Sequence, residues 1–184
     1  MRTAIFGGTF DPIHSAHLVV AREAAEAYRL DRVLFIPAAN PPLKEAGASY
    51  EDRFKMVELA CAGEPRFVPS RLEEGKEKSF SITTIERVKA QNSDVFFIIG
   101  SDAFAEIQSW YRWRDVVAAV EFIVVARPGH TYMTPAGARV KRLETVALPV
   151  SSSEIRQRLA RGKRPAELPA AVTDYIRSHG LYGA

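Results

Sequence analysis

The chain has 184 residues, which at roughly 150 residues per domain predicts one domain, and its 47% hydrophobic and 26% charged residues are ordinary for a globular protein. Eleven glycines and 11 prolines exclude collagen-like and low-complexity sequence. The net charge of +3 is too small to define a nucleic-acid or membrane-surface protein, yet it suits an anionic substrate.

Apolar runs of strand length alternate with segments of helical period. Strands are predicted over 3–6, 32–36, 66–68, 95–99, 122–126 and, as a last short one, 146–148. Helices are predicted over 16–28, 50–62, 82–89, 153–159 and 170–178. Residues 129–142 carry no clear period. Alternation of this kind implies a single α/β domain over 1–184: a doubly wound, Rossmann-like, mostly parallel sheet with helices on both faces. Cys61, the one cysteine, has the apolar neighbours Leu59, Ala60 and Ala62 and reads as a buried thiol in a reducing compartment. The apolar run at 4–6 is too short for a signal peptide. The runs at 116–120 and 122–126, separated by Glu121, fall short of the ~20 residues of a membrane span. A cytoplasmic location with no membrane partner is expected. Oligomeric state is not legible, and a homo-oligomer stays open.

In a doubly wound sheet ligands bind beyond the carboxyl ends of the strands. The first such end reads Gly7-Gly8-Thr9-Phe10-Asp11-Pro12-Ile13-His14-Ser15-Ala16-His17. Two glycines let a bound group approach the backbone, although a tight turn also explains them. His14 and His17, three apart at a helix start, share a face and lie near free N–H groups that favour anions. They are a phosphate site, or a structural pair. Zinc is disfavoured, because no further ligands stand at a recognisable spacing.

Val150-Ser151-Ser152-Ser153-Glu154-Ile155-Arg156 is the second anchor. Ser151 and Glu154 have capping-box spacing. Serine hydroxyls, helix N–H groups and an Arg one turn on also form a triphosphate cradle, and both roles can coexist. Downstream, Arg158, Arg161, Lys163 and Arg164 read as a solvated basic helix end, not a nucleic-acid surface.

These motifs resemble those of the nucleotidylyltransferases that share a His-x-Gly-His signature, and most closely the bacterial nicotinate-nucleotide adenylyltransferases. Ala16 stands where the signature has glycine; Val150 and Ser153 replace the isoleucine and threonine of Ile-Ser-Ser-Thr-x-Ile-Arg. Further segments follow the family in order: 36–44, 79–85, Phe97-Ile98-Ile99-Gly100-Ser101-Asp102, Ser109-Trp110-Tyr111, Arg127-Pro128-Gly129 and 175–182. The resemblance implies that His14, His17 and Arg156 carry catalysis. ATP would meet Gly7, Gly8, Thr9, Phe10, Gly100, Asp102, Arg127, Ser152 and Ser153 as well. Asn40, Lys44, Thr84, Trp110 and Tyr111 would hold nicotinate mononucleotide, with Trp110 stacking on the pyridine ring and backbone N–H groups near Thr84 and Tyr111 taking the carboxylate. Trp113 reads as core. Asp102 either meets a ribose hydroxyl or caps the next helix. Mg²⁺ would be bound mainly through substrate phosphates, with no dedicated protein metal site. Nicotinamide mononucleotide or phosphopantetheine as acceptor, and a catalytically inactive nucleotide sensor, remain as alternatives.

Overall fold

The computed structural model describes residues 1–40, 46–75, 78–146 and 150–184. Among them, β1 (Arg2–Gly8), β2 (Arg32–Pro37), β3 (Phe67–Pro69), β4 (Asp94–Gly100), β5 (Glu121–Ala126) and β6 (Arg139–Glu144) form one sheet in the order β3-β2-β1-β4-β5-β6. Every pairing is parallel. The helices are α1 (Ser15–Ala27), α2 (Tyr50–Cys61), α3 (Ser81–Lys89), α4 (Ser101–Ala105), α5 (Trp113–Ala119), α6 (Ser152–Ala160) and α7 (Ala170–Ser178).

The strands are apolar without interruption because both of their faces are covered. In β4, Phe96 and Ile98 join one core with Val20, Ala21 and Ala24 of α1, Val57 of α2, Ile155 of α6 and Ile176 of α7. Val95, Phe97 and Ile99 point the other way, to Ile82 and Ile85 of α3, Phe104 of α4 and Val116 of α5. Period-two alternation therefore sorts one strand's side chains into two hydrophobic layers. Cys61 is buried in the first layer, and burial pushes its thiol up to about 12.

The predicted strand at 146–148 is not where the sheet ends. Val146 is exposed in a bend, and 147–148 lie outside the described residues. Among the described residues the last strand is β6, which begins inside the region that has no readable period. It is an edge strand paired with β5 alone, and of its side chains Leu143 is the buried one. Charged side chains suit such an edge, since they oppose pairing with another chain. The same property removes the apolar signal by which a strand is recognised. The short helices α4 and α5 also have no counterpart among the predicted elements; each spans less than about two turns, too short for a period to register.

Candidate active site

The sheet order reverses direction between β1 and β4, and the cavities lie beyond the carboxyl ends of these two strands, as the topology requires. One has a volume of about 600 Å³ and is lined by Gly8, Thr9, Phe10, His14, His17, Gly100, Ser152, Ser153 and Arg156 together with Asp11 and Ala16.

The glycine pair forms the end of β1 rather than a turn after it. A Cβ on Gly8 would come within 3.3 Å of the Phe10 ring, so a larger residue here obliges that ring to shift by a few tenths of an ångström. Phe10 turns the chain with a left-handed φ of 51°, and His14 then takes the extended conformation that starts α1. The His14 backbone N–H donates to His17 Nδ1 at 3.1 Å. The two imidazoles lie 3.9 Å apart, and Phe10 and Phe6 meet the His17 ring edge-on. Burial lowers His14 to about 4, against a smaller opposing pull from Glu167. Burial, then the neighbouring His14, holds His17 well below the ordinary histidine range. Both rings are thus neutral at pH 7. Because Nδ1 of His17 accepts a hydrogen bond, its proton resides on Nε2, which is then a donor.

A histidine buried neutral makes stability pH-dependent. The unfolded chain takes up His14's proton near 6.5 and the folded chain only near 4, so stability present above 6.5 is lost as pH falls between these values. The expected loss is about 3 kcal/mol by pH 4. Denaturant melts of the wild type and His14→Gln across pH 4–7 check this, with a shallower pH slope for the variant.

At the start of α6, Ser151 caps the helix by accepting from the Glu154 N–H at 3.2 Å. Ser152 Oγ donates to the Pro12 carbonyl at 2.9 Å, and Arg156 Nη1 donates to the Asp11 carbonyl at 2.9 Å. The two motifs are therefore bound to each other, which brings the histidines and the serine–arginine segment to one cavity. The Ser152 hydroxyl proton is committed to Pro12; what it retains for a ligand is its backbone N–H at a helix start.

Two further contributors, one inside the first motif and one far from either, take their roles from the fold. Asp11 is buried, accepts from the Gly47 and Ala48 N–H groups and the Tyr182 hydroxyl, and lies 4.0 Å from the Arg156 guanidinium. Arg53 of α2 is 1% exposed, and its guanidinium donates to the carbonyls of Thr9, Ala38 and Ala48. It clamps the ends of β1 and β2 in place. Nothing in the helical pattern distinguishes it from the exposed arginine that is usual at such a position.

A second cavity of about 220 Å³ opens on the other side of the same strand ends and is lined by Trp110, Thr84, Ser79, Ser81 and Glu73. Gly8 and Gly100 line both cavities; Gly7 lines only the second. Trp110 is half-buried, edge-on to Phe97 at 6.0 Å, whereas Trp113 packs on the second hydrophobic layer. Tyr111 is exposed, with its ring against Phe80, and does not line the cavity. Asn40 exchanges backbone and side-chain hydrogen bonds with Ser79 at the cavity's edge. Lys44 lies outside the described residues. The first turn of α3 carries no acidic residue and no side-chain cap, so its N–H groups offer an anion site. A third cavity of about 340 Å³ holds Asp102 and Arg127 with His130, which stands in the region without a readable period; Gly100 and Val125 connect it to the first. Asp102 does not cap α4, whose start carries no side-chain hydrogen bond.

No helix among the described residues is long and apolar enough to cross a membrane. Residues 5–158 match the cytidylyltransferase-like family. The chain is 57% identical to a probable nicotinate-nucleotide adenylyltransferase of Solibacter usitatus, covering 99% of this chain and 100% of that one. It is 40% identical to a probable nicotinate-nucleotide adenylyltransferase of Thermus thermophilus over 99% of this chain and 100% of that one. Its fold superposes with a TM-score of 0.83 on Plasmodium falciparum nicotinic acid mononucleotide adenylyltransferase complexed with NaAD, at 21% identity over 99% of this chain and 97% of that one. Full-length identity at this level, on a sheet whose strand ends carry both motifs, makes the chain a member of the nicotinate-nucleotide adenylyltransferases within the cytidylyltransferase-like family.

Proposed function

We propose that the chain transfers the adenylyl group of ATP to nicotinate mononucleotide, giving nicotinate adenine dinucleotide and pyrophosphate, a step of NAD biosynthesis. The observation that carries this reading is the meeting of two unlike cavities at Gly8 and Gly100: one rimmed by phosphate-binding groups, the other by an indole and a helix start. Relatives named for the reaction, and a fold neighbour complexed with NaAD, support it.

The nucleophile is a phosphate oxygen of the mononucleotide, which attacks the α-phosphorus of ATP. One P–O bond forms as the bond to the β-phosphate oxygen breaks, and pyrophosphate leaves with that electron pair. A phosphate is already anionic at pH 7, so no general base is required. Catalysis then rests on in-line positioning and charge stabilisation. His14 and His17 face the α- and β-phosphates as neutral donors. Ser152, Ser153 and Arg156 hold the β- and γ-phosphates, and the third cavity, with Asp102 and Arg127, takes the nucleoside end. Among the described residues, Asp11 is the carboxylate lining the first cavity, and its oxygens already accept from Gly47, Ala48 and Tyr182. Mg²⁺ therefore fits as an ion held by phosphate oxygens, where it neutralises charge. A cytoplasmic location accords with the single buried thiol, Cys61.

Pyrophosphate release with ATP, Mg²⁺ and nicotinate mononucleotide, nicotinamide mononucleotide or phosphopantetheine tests the reading. Strong preference for the first is expected; preference for either of the others reassigns the acceptor. In the same assay Trp110→Ala raises KM for the mononucleotide about tenfold through lost stacking and cation–π attraction, with KM for ATP unchanged. An unchanged mononucleotide KM rejects the stacking role.

A further inference from the structure

Arg156 does not make the strongest bond within its reach. Its guanidinium lies 4.0 Å from the Asp11 carboxylate, where a two-pronged ion pair is the stronger arrangement, yet its Nη1 donates to the Asp11 backbone carbonyl at 2.9 Å. The carboxylate oxygens are already occupied. Oδ2 accepts the Gly47 N–H, and Oδ1 accepts both the Ala48 N–H and the Tyr182 hydroxyl. With the carboxylate engaged, 36% of the Arg156 side chain stays exposed, on the wall of the first cavity.

Tyr182 reaches Asp11 through a strained turn. It has a left-handed φ of 56°, between Gly180 at 59° and Gly183 at 76°, and a side-chain-bearing residue persists in that region only where its surroundings hold it there. The turn lays Gly183 beside Ala160 of α6, one turn beyond Arg156, and the Tyr182 ring packs on the first hydrophobic layer. Burial, then the bond to Asp11, holds its phenol well above the ordinary tyrosine range, so the hydroxyl keeps the proton that it donates. We propose that Tyr182 is a positioning residue for Arg156: by occupying Asp11 Oδ1 it stops the guanidinium from closing on the carboxylate and leaves it available to the phosphates of ATP. This rests on the adenylyl-transfer reading above, in which Arg156 holds the β- and γ-phosphates. Gly47 bounds the same junction from another side, since a Cβ there would lie 3.3 Å from Asp11 Oδ2 and from the Tyr182 ring, and 3.5 Å from Arg156 Cδ.

The test is a double-variant cycle, read by calorimetric titration with ATP and Mg²⁺ in the absence of acceptor and by steady-state rates. Tyr182→Phe keeps the ring and removes only the hydroxyl. It weakens ATP binding and lowers kcat/KM for ATP about tenfold, the size of one hydrogen bond to a charged group. In an Arg156→Ala background the same change costs less than about twofold, because the group through which it acts is gone. Affinity for the mononucleotide is unchanged by Tyr182→Phe in either background. Equal losses with and without Arg156 would show a merely structural tyrosine and overturn the proposal, as would undiminished ATP affinity in Tyr182→Phe. Thermal melts establish that each variant is folded. Should Tyr182→Phe not fold, Gly47→Ala, which presses on the Asp11 carboxylate with the tyrosine hydroxyl still present, is put through the same cycle. A loss of ATP affinity that depends on Arg156 is again expected, and a loss independent of it, or none, overturns the proposal. Protein that shows the Arg156-dependent loss in ATP binding but whose wild type releases no pyrophosphate with any acceptor refutes the adenylyl-transfer reading instead.

Discussion

Replacing His17 with alanine lowers kcat/KM about a hundredfold or more, the loss seen when one preorganised donor to a developing anion is removed. The geometry explains why the effect is this large. The His17 ring is fixed on one edge by the His14 N–H and is wedged between Phe6 and Phe10, so its Nε2–H is aimed before substrate arrives. Alanine removes the donor and admits water to the space, and water has to reorganise as the charge develops. Because the cavity proposed for the mononucleotide is the other one, its dissociation constant is expected to change little. The pH profile separates a donor from a general base. With His14 lowered to about 4 and His17 also held low, neither ring gains a proton between pH 6 and 8. An acidic limb in kcat/KM therefore follows the second ionisation of the substrate phosphate, near 6, and persists in the variant. Near-normal turnover by His17→Ala, or an acidic limb that disappears with the imidazole, overturns the assignment.

Arg156→Ala produces a loss of similar size, about 10² to 10³-fold in kcat/KM for ATP, and Arg156→Lys recovers only part of it. The guanidinium offers several donors in a fixed plane. One already bonds the Asp11 carbonyl, and the nearby Asp11 carboxylate holds the group in the cavity wall. A lysine restores the charge but cannot grip Asp11 and a phosphate at once in that geometry. The stability cost is small by comparison, about 1 kcal/mol, because Asp11 keeps the Gly47, Ala48 and Tyr182 donors. Steady-state rates at varied ATP, set beside thermal melts, check both parts. A large fall in melting temperature with unchanged ATP kinetics would make Arg156 a structural residue.

Much of this protein is legible in its residues taken in order. Strands 95–99 and 122–126 announce themselves because a strand covered on both faces is apolar at every position. Helix 170–178 is read to its ends, with Val172 and Ile176 of α7 buried one turn apart. The histidine and serine–arginine motifs are local and so stand out in the sequence, but their spacing leaves a structural histidine pair and a plain helix cap open, and the phosphate role is what the family resemblance implies. The edge strand β6 was hidden, since with one neighbour and a solvent-facing flank it has no apolar run to display.

Composition, period and motif order were enough to determine a doubly wound domain and to mark the candidate phosphate-binding segments at its first strand and at α6. Only the tertiary structure decided that these segments share one cavity, that a second cavity opens against it across Gly8 and Gly100, which partners Asp11 holds, and that Arg53 and Glu73 belong to the site. The physical reason is distance along the chain. The Arg156 bond to Asp11 spans 145 residues and the Tyr182 bond to Asp11 spans 171, whereas periodicity reports only whether a residue faces the core. A buried charge gains its meaning from partners that the fold brings to it.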